Sequence, residues 1–462
     1  MFRRLSFVTF AVAMLASGCA LTPPSAQPTY AAPAAWIAPQ AHGGAPQSLN
    51  NWWAQFDDPQ LSRLIEAAQT SSASLAAAQA RIEQARAGLR ASRSASFPIV
   101  DGNARAARSS AVSAASTTAS FGIDALWELD LFGANRNANA SAQARASGAE
   151  AAWHDARVSL AAEVAGVYTT LRACEATLTV LELDATSLKE TARLTQLKVK
   201  AGFDAPANGS LADASAADGS NRLLAQRTEC AVLIKALVAL SGEAEPTLLL
   251  ALRANTARIA QPKVFAVASV PAQVLAQRPD LAAAERDIAG AAADVAVAEA
   301  NRYPRITLLG SIGFAALRAG GASVDGRTWS FGPALSLPVF DAGRRKAGQE
   351  QAEARLAETQ SNYRARATNA VREVEEALLR LDSATLRLAD AERSAKGFSD
   401  FFAAAQTRWK VGVGSVLEQE DARRVALNAN AALINLRRER VQAWINLYKA
   451  VGGGWDASAA TP

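Results

Sequence analysis

The chain has 462 residues, half of them hydrophobic, which is enough to bury one large core or two ordinary ones. Its 48 Lys and Arg residues are spread among 43 acidic residues, so the formal charge of +5 does not predict a nucleic-acid-binding surface. The two His residues, His42 and His154, lie far apart, which argues against a His-based metal site. The sequence also lacks a Gly-rich phosphate loop, a nucleophile elbow and spaced metal ligands, so we expect no enzyme activity, metal or cofactor.

The N-terminus has the layout of a bacterial secretion signal. Two arginines precede the apolar residues 5–15, and residues 16–19 read Ala-Ser-Gly-Cys. This ending resembles the lipobox of bacterial lipoproteins, although Ala stands three positions before the cysteine, where Leu is usual. We predict a signal peptide at residues 1–18 and a covalent lipid on Cys19; the alternative is ordinary cleavage beside an unmodified thiol. Ala20, in place of an acidic residue, favours sorting to the outer membrane by analogy with other lipoproteins.

Residues 19–49 are predicted to form a lipid-anchored tether. They are rich in Pro, Ala and Gln and show neither a helical nor a strand period. No run of about 20 apolar residues follows the N-terminal segment, so the sequence predicts no hydrophobic membrane-spanning helix. Any passage through a membrane would have to be made by strands.

Beyond the tether, the sequence repeats itself at a spacing of roughly 210 residues. The matched landmarks are Phe97-Pro98 with Tyr303-Pro304, Phe121-Gly122 with Phe331-Gly332, Ala201-Gly202 with Val411-Gly412, and Leu240-Ser241-Gly242 with Ala450-Val451-Gly452. We assign residues 50–260 to a first repeat, residues 261–455 to a second, and residues 456–462 to a tail. Each repeat is predicted to contain a helix, a strand pair, a long helix, a tight turn and a returning helix.

The strand pairs are predicted at about residues 97–132 and 304–340. Apolar residues alternate, or mix with Gly and aromatic residues, in three segments of these pairs: residues 121–132, 306–314 and 328–340. Their lengths, about 9 to 13 residues, suit a tilted crossing of a membrane. The segment after Pro98 is polar and rich in Ala and matches this pattern poorly. Two strand pairs cannot close a barrel, and open edges are not tolerated in lipid, so membrane-crossing strands here require self-association.

Long helical hairpins are predicted at about residues 134–241 and 342–451, because apolar residues there follow the 4,3 spacing of a coiled-coil seam. The seam comprises Leu160, Val164, Val167, Leu171, Cys174, Leu178, Leu181, Ala185 and Leu188 in the first hairpin, and Val371, Val374, Leu378, Leu381, Thr385 and Leu388 in the second. A helix from Asn135 to Lys200 would be about 100 Å long, which suits a spacer across the periplasm.

Two cysteines fall on the seam of the first hairpin. Cys174 and Cys230 lie at comparable distances on either side of the turn at Gly202, so antiparallel packing brings them near each other. In the oxidising periplasm a disulfide between them is one interpretation. The other is two small buried apolar residues a turn out of register.

Five motifs occur in order along the mature chain. They are residues 52–61 (WWAQFDDPQL), 270–281 (VPAQVLAQRPDL), 303–306 (YPRI), 337–343 (LPVFDAG) and 448–455 (YKAVGGGW). Together with the duplicated plan, they resemble the TolC-like outer-membrane efflux family, in particular its lipidated branch that serves proton-driven pumps of the resistance-nodulation-division type. The resemblance covers nearly the whole mature chain.

This resemblance implies an α+β membrane protein built from a duplicated unit of two transmembrane β-strands and a long α-helical hairpin. Three chains would form a twelve-stranded β-barrel in the outer membrane, continuous with a periplasmic α-helical barrel that is closed at its tip. The implied partners are two further copies of the chain, outer-membrane lipid, a periplasmic adaptor and an inner-membrane pump, with no nucleic acid.

The resemblance also places a periplasmic gate in the second hairpin. Aligned on Gly412, the pore-constricting positions of the family match Leu417, Asp421 and Arg424 here. Three copies of Leu417 would form an apolar ring and three of Asp421 a cation-attracting ring, while Arg424 would pair with a carboxylate on another helix. The alternative is an exposed pair between Asp421 and Arg424 within one helix. The first tip departs from the family pattern with a Pro and an Asn, so it receives no gate residues.

The expected function is that of the exit duct of a tripartite efflux system, which passively conducts small molecules such as drugs from the pump to the exterior. One alternative is the outer-membrane component of a type I protein secretion system. An alternative of a different class is a periplasmic coiled-coil adaptor, but adaptors carry one hairpin flanked by strand-rich modules, whereas two hairpins are predicted here. The cargo is left open, and the scarcity of Met and His disfavours a dedicated route for soft metal ions.

Overall fold

The computed structural model describes residues 21–27, 30–38, 52–111, 114–262 and 271–455. The predicted signal peptide, Cys19 and the predicted tail lie outside the described residues. The described residues form two compact units: a sheet unit with residues 21–27, 30, 78–111, 114–152 and 280–366, and a hairpin unit with residues 31–38, 52–77, 153–262, 271–279 and 367–455. Each unit therefore combines matching parts of both repeats.

The sheet unit contains one antiparallel sheet in which each repeat supplies two neighbouring strands. Its order is β1-β2-β3-β4, and the bounds are Ile99–Ala111 (β1), Ala114–Leu129 (β2), Arg305–Ala319 (β3) and Ala322–Ser336 (β4). The central pairing of β2 with β3 joins the two repeats.

The strands differ from the sequence prediction at several ends. The polar segment after Pro98 forms a full strand, β1, which pairs with β2 from Ile99 to Ala111. The last predicted strand, residues 328–340, begins earlier and ends at Ser336, and β2 likewise begins before residue 121. All four strands are thus at least as long as the longest predicted length. Pro338 lacks the N–H that would continue the ladder of β4, which fits the earlier end.

The pairing register separates the sheet into an apolar and a polar face. Because side chains alternate along a strand, residues opposite one another in register share a face across all four strands. The apolar face carries Phe121, Ile123, Trp127, Ile306, Leu308, Ile312, Phe314, Trp329, Phe331 and Leu335, and many of these are exposed. The polar face carries Asp101, Asp124, Glu128, Thr307, Ser311, Thr328 and Ser330. We call these two surfaces the apolar face and the polar face.

The helices follow the prediction closely. Their bounds are Pro59–Ser71 (α1), Ala73–Ser94 (α2), Ala134–Lys200 (α3), Pro206–Ser241 (α4), Glu245–Leu252 (α5), Pro271–Ala276 (α6), Pro279–Ala300 (α7), Arg344–Lys410 (α8) and Val416–Ala450 (α9). Both long helices, α3 and α8, have 67 residues. Most seam positions of α3 are buried, whereas Thr385 of the α8 seam is exposed. Among the described residues, no helix combines the length and the apolar composition that a membrane-spanning helix requires.

The hairpin unit contains an aromatic core. Trp52 and Trp444 are buried with ring centroids 4.5 Å apart, and the ring of Tyr448 lies 5.3 Å from that of Trp52. The contact between Trp52 and Tyr448 joins the motif at residues 52–61 to the motif at residues 448–455. These aromatic residues bury large apolar areas and thus tie the start of the chain to α9.

Beside this core, a buried carboxylate collects several hydrogen bonds. Asp58 caps α1 by accepting a bond from the backbone N–H of Gln60, 3.1 Å away. It also accepts bonds from the Tyr168 hydroxyl at 2.6 Å and from the Asn255 amide at 2.9 Å. Burial and the bond to Asp58 together raise the pKa of Tyr168. The carboxylate therefore links α1, α3 and the segment after α5.

The described part of the predicted tether has no helix or strand, as expected, but it is not free. The backbone N–H groups of Ile37 and Ala38 each donate to a different carboxylate oxygen of Glu375 on α8, at 2.7 Å. Trp36 is buried in the same core as Trp52. The tether is thus docked at this point, because an indole ring gains by leaving water.

Candidate functional site

Each helical hairpin ends in a tight turn of the same form. Gly202 and Gly412 have φ values of +76° and +84°, in the left-handed region that glycine adopts without steric cost. The next residues close the turns, since the N–H of Phe203 donates to the carbonyl of Lys198 at 2.8 Å and the N–H of Val413 to that of Arg408 at 3.0 Å. These are the bonds of helix C-caps with a left-handed residue, so the glycines fix where both hairpins turn.

The two tips differ in how the returning helix begins. In the second tip, the Ser415 hydroxyl caps α9 by accepting a bond from the N–H of Glu418 at 3.1 Å. In the first tip, Pro206 occupies the first turn of α4, and Asp204 accepts bonds from the N–H of Ala205 at 2.8 Å and from the Asn208 amide at 2.6 Å. The Pro and Asn that depart from the family pattern thus belong to a helix start that has no side-chain cap.

The predicted gate residues lie on the exposed surface of α9 in the single chain. Leu417 is 60% exposed. Arg424 donates to Asp421 of its own helix at 3.1 Å, and the two side chains are 71% and 59% exposed. This geometry matches the alternative of a pair within one helix, and an exposed pair of this kind contributes well under about 1 kcal/mol. Because rings of Leu417 and Asp421 require several chains, the gate role of the three residues stays a prediction.

The contact with another helix is made by the adjacent residue, Arg423. It donates to Asp184 of α3 at 2.8 Å and to Glu420 at 2.7 Å. The side chains of Arg423 and Asp184 are only 9% and 2% exposed. Arg222 of α4 lies 3.6 Å from the same Asp184 carboxylate, so one buried acid connects three helices. We call Asp184, Arg222, Glu420 and Arg423 the tip ion cluster.

The Arg423 guanidinium keeps its charge within the tip ion cluster. Burial alone would lower the pKa of Arg423, but hydrogen bonds with Glu420 and Asp184 outweigh it and raise the pKa above that of a free arginine. Beside the cluster, the buried Gln419 amide donates to the Thr191 hydroxyl at 3.2 Å, again between α9 and α3. One sequence signal of this layer is the position of Glu420, seven residues before Leu427 on α9, because a charge at heptad spacing from an apolar residue indicates a polar layer between packed helices.

The structure joins Cys174 and Cys230 by a disulfide between α3 and α4, with Cα atoms 5.7 Å apart. The same helices meet again at the tip ion cluster, through Asp184 and Arg222. The disulfide therefore joins the two helices of the first hairpin within the hydrophobic core, and the ion cluster joins them again nearer the tip.

We expect the mature protein to contain this bond. Mass mapping under non-reducing conditions should show the peptides of Cys174 and Cys230 linked, and two free thiols would contradict the assignment. Because the bond closes a loop with a sequence separation of 56 residues, Cys230→Ser should lower the free energy of unfolding by about 4 kcal/mol. Treatment of the wild type with reductant should lower it equally, and should leave the variant unchanged.

Comparison with known proteins assigns the chain to a protein family. The model of the family "Outer membrane efflux protein" matches residues 64–243 and 270–453. The solvent efflux pump outer membrane protein SrpC of Pseudomonas putida is 30% identical, covering 98% of this chain and 99% of its own. The pyoverdine export outer membrane protein OpmQ of Pseudomonas putida is also 30% identical, with 99% of both chains covered.

Solved structures agree with this placement. The outer-membrane channel OprN superposes with a TM-score of 0.83 at 29% identity, covering 94% of this chain and 99% of that one. The MtrE outer membrane channel of Neisseria gonorrhoeae, solved in its open state, gives a TM-score of 0.80 at 25% identity and covers 96% of this chain and all of its own. The chain therefore belongs to the outer membrane efflux protein family and is an outer-membrane efflux channel with long helical hairpins.

Proposed function

We propose that three copies of this chain close into one channel through the outer membrane, a passive conduit without covalent chemistry. Two features of the sheet support this proposal. Within the described residues, β1 and β4 each pair on one side only, and the apolar face exposes Phe121, Trp329 and Phe331. Unpaired strand edges and a broad apolar surface are both costly in a lone chain, and both are satisfied when β1 of one copy pairs with β4 of the next in lipid.

The hairpin tips are proposed to meet a periplasmic adaptor, which connects the channel to an inner-membrane pump of the resistance-nodulation-division type. Phe203 in the first tip and Val411, Val413 and Leu417 in the second are large apolar residues that stand exposed. They surround turns whose backbone is held by the two glycines. Rigid loops with exposed apolar side chains suit contact with a protein partner.

Small molecules are the proposed cargo. Relatives that match this chain over nearly its full length are named for the efflux of solvents and toluene and for the export of pyoverdine. These names support small-molecule transport over polypeptide secretion. Relatives with similar identity to this chain differ in cargo. We therefore assign the selection of cargo to the inner-membrane pump and not to the channel.

Lipidation of Cys19 completes the proposal and leads to its test. Native mass spectrometry of protein extracted from purified outer membranes should show a trimer whose chains begin at a lipid-modified Cys19. In planar bilayers the same preparation should form conducting channels. A soluble monomer without lipid would contradict the channel and favour a periplasmic adaptor, whereas a conducting trimer without lipid would contradict only the anchor.

The predicted gate can be tested by conductance. If Asp421 and Arg424 help to close the tip, replacing both with Ala should increase the single-channel conductance, because a charged constriction is removed. Asp390 and Arg393 on α8 offer a matched control, since they also form an exposed pair three residues apart within one helix. Replacing that pair with Ala should leave the conductance unchanged. Equal conductance of both variants and the wild type would contradict the gate assignment.

A further inference from the structure

A cleft of about 420 Å³ lies in the sheet unit, where β3 begins and β4 ends. Its wall is formed by Arg305 and Ser336 of the two strands, by Asn301 after α7, and by Arg344 and Arg345 of α8. Guanidinium groups are therefore the main charged groups of this wall. Such groups bind carboxylates and phosphates through paired N–H donors.

Two of these arginines are held in place by the same residue. Arg305 donates to the side-chain oxygen of Asn301, and Arg345 donates to the backbone oxygen of Asn301. Each also has an acid near its Nε atom, Glu128 at 3.9 Å from Arg305 and Asp341 at 3.3 Å from Arg345. These contacts orient the guanidinium groups and offset part of their charge.

The third arginine, Arg344, is exposed, and no hydrogen bond or ion pair joins its guanidinium to the part of the chain that the structure describes. Arg344, Arg345 and Lys346 fill the first turn of α8, which contains no acidic residue. Three cations at the positive end of a helix are electrostatically unfavourable. In the first repeat, the corresponding turn at the start of α3 carries one arginine between two Asn residues. Arg345 and Lys346 offset this cost by pairing with Asp341 and Glu350, whereas Arg344 has no such partner among the described residues, so its charge does not serve the stability of the helix.

The register assigns the strand residues of the cleft wall to one face of the sheet. Arg305 is opposite Ser336, and by alternation both share the polar face with Thr307, Ser311 and Ser330. The hydroxyls of Ser311 and Ser330 lie 2.8 Å apart on this face. Given the proposed function, on which this step depends, the apolar face meets lipid and the polar face lines the conduit.

We propose that this cleft is an oxyanion-binding site on the conduit wall, taking small solutes that carry a phosphate or carboxylate group. The anion is bound by the Arg344 guanidinium, and Arg305 and Arg345 supply further donors at fixed positions. The site binds anionic solutes weakly, on a surface that is otherwise polar and partly acidic.

Inorganic phosphate is a suitable probe, measured as block of single-channel current in bilayers of neutral phosphatidylcholine at constant ionic strength. Phosphate should reduce the wild-type current saturably. Arg344→Gln should raise the half-blocking concentration about tenfold, as expected for one lost charge-assisted hydrogen bond. Lys346→Gln is the matched control, because it removes the same charge from the same helix turn, while its side chain lies 3.5 Å from Glu350 and outside the cleft wall. It should leave the block unchanged.

The other outcomes overturn the proposal. A conducting channel that phosphate does not block, or an equal shift in Arg344→Gln and Lys346→Gln, overturns the site and leaves the channel function intact. Absence of conductance in all variants overturns the channel function, and the placement on a conduit wall with it. If added phosphatidylglycerol abolishes the phosphate block, the cleft binds lipid headgroups, which overturns its assignment to solutes.

Discussion

Replacing Asp184 with Ala is expected to loosen α9 from α3 and to lower the free energy of unfolding by about 3 kcal/mol, because the buried Arg423 loses its partner on α3. Glu420 alone then faces Arg423, from the same helix. Hydrogen exchange followed by mass spectrometry should show faster exchange in α9 peptides around Arg423. Single-channel conductance should also increase, since the second hairpin is less firmly held to the first near the tips.

A triple variant separates the ion pairs from their surroundings. Adding Arg423→Met and Glu420→Gln to Asp184→Ala removes the three buried charges and should recover most of the lost stability, because none of them is left unpaired. Asp390→Ala is the matched control on an exposed pair, which we expect to change exchange and stability little. Unchanged exchange of α9 in Asp184→Ala would show that the tip ion cluster does not hold the two helices together.

Asp58→Ala should cost a similar amount, about 3 kcal/mol, in the core of the hairpin unit. The change removes the cap of α1 and leaves the Tyr168 hydroxyl and the Asn255 amide without their acceptor. Thermal unfolding of the detergent-solubilised protein, followed by circular dichroism, should show a clearly lowered midpoint.

Two variants distinguish the buried network from a simple loss of charge. Glu66→Ala removes a carboxylate from the exposed side of the same helix, α1, and should shift the midpoint little. Asp58→Asn retains an oxygen that can cap α1, so it should be milder than Asp58→Ala. Equal midpoints for Glu66→Ala and Asp58→Ala would exclude the network as a source of stability.

The helices were predictable because their signals are local. Heptad spacing placed the seam of α3, and Gly202 and Gly412 placed the turns, where the structure has positive φ values. The strand β1 was harder, because Ala and Ser on both faces hide its alternation. Its place in the sheet is set by pairing with β2, which a pattern within one segment does not report.

The candidate site was predictable only in its location. Periodicity and the resemblance led to the second tip, but they do not determine which of two adjacent arginines turns inward. That choice depends on the rotation of α9 against α3, and so Arg423 is buried while Arg424 is exposed. Asp58 and Tyr168 are 110 positions apart, a separation at which no local pattern indicates a hydrogen bond.

The strand order makes the two edges of the sheet different from each other. Its two outer strands come from different repeats, β1 from the first and β4 from the second, and their sequences differ. In the proposed trimer, pairing between copies is therefore heterologous, head to tail, and such pairing forms a ring only when the rotation between copies closes. A copy in which one outer strand can no longer pair still binds a neighbour through its other outer strand, but the ring stays open. Such a chain would act as a dominant-negative subunit, disabling normal copies made in the same cell.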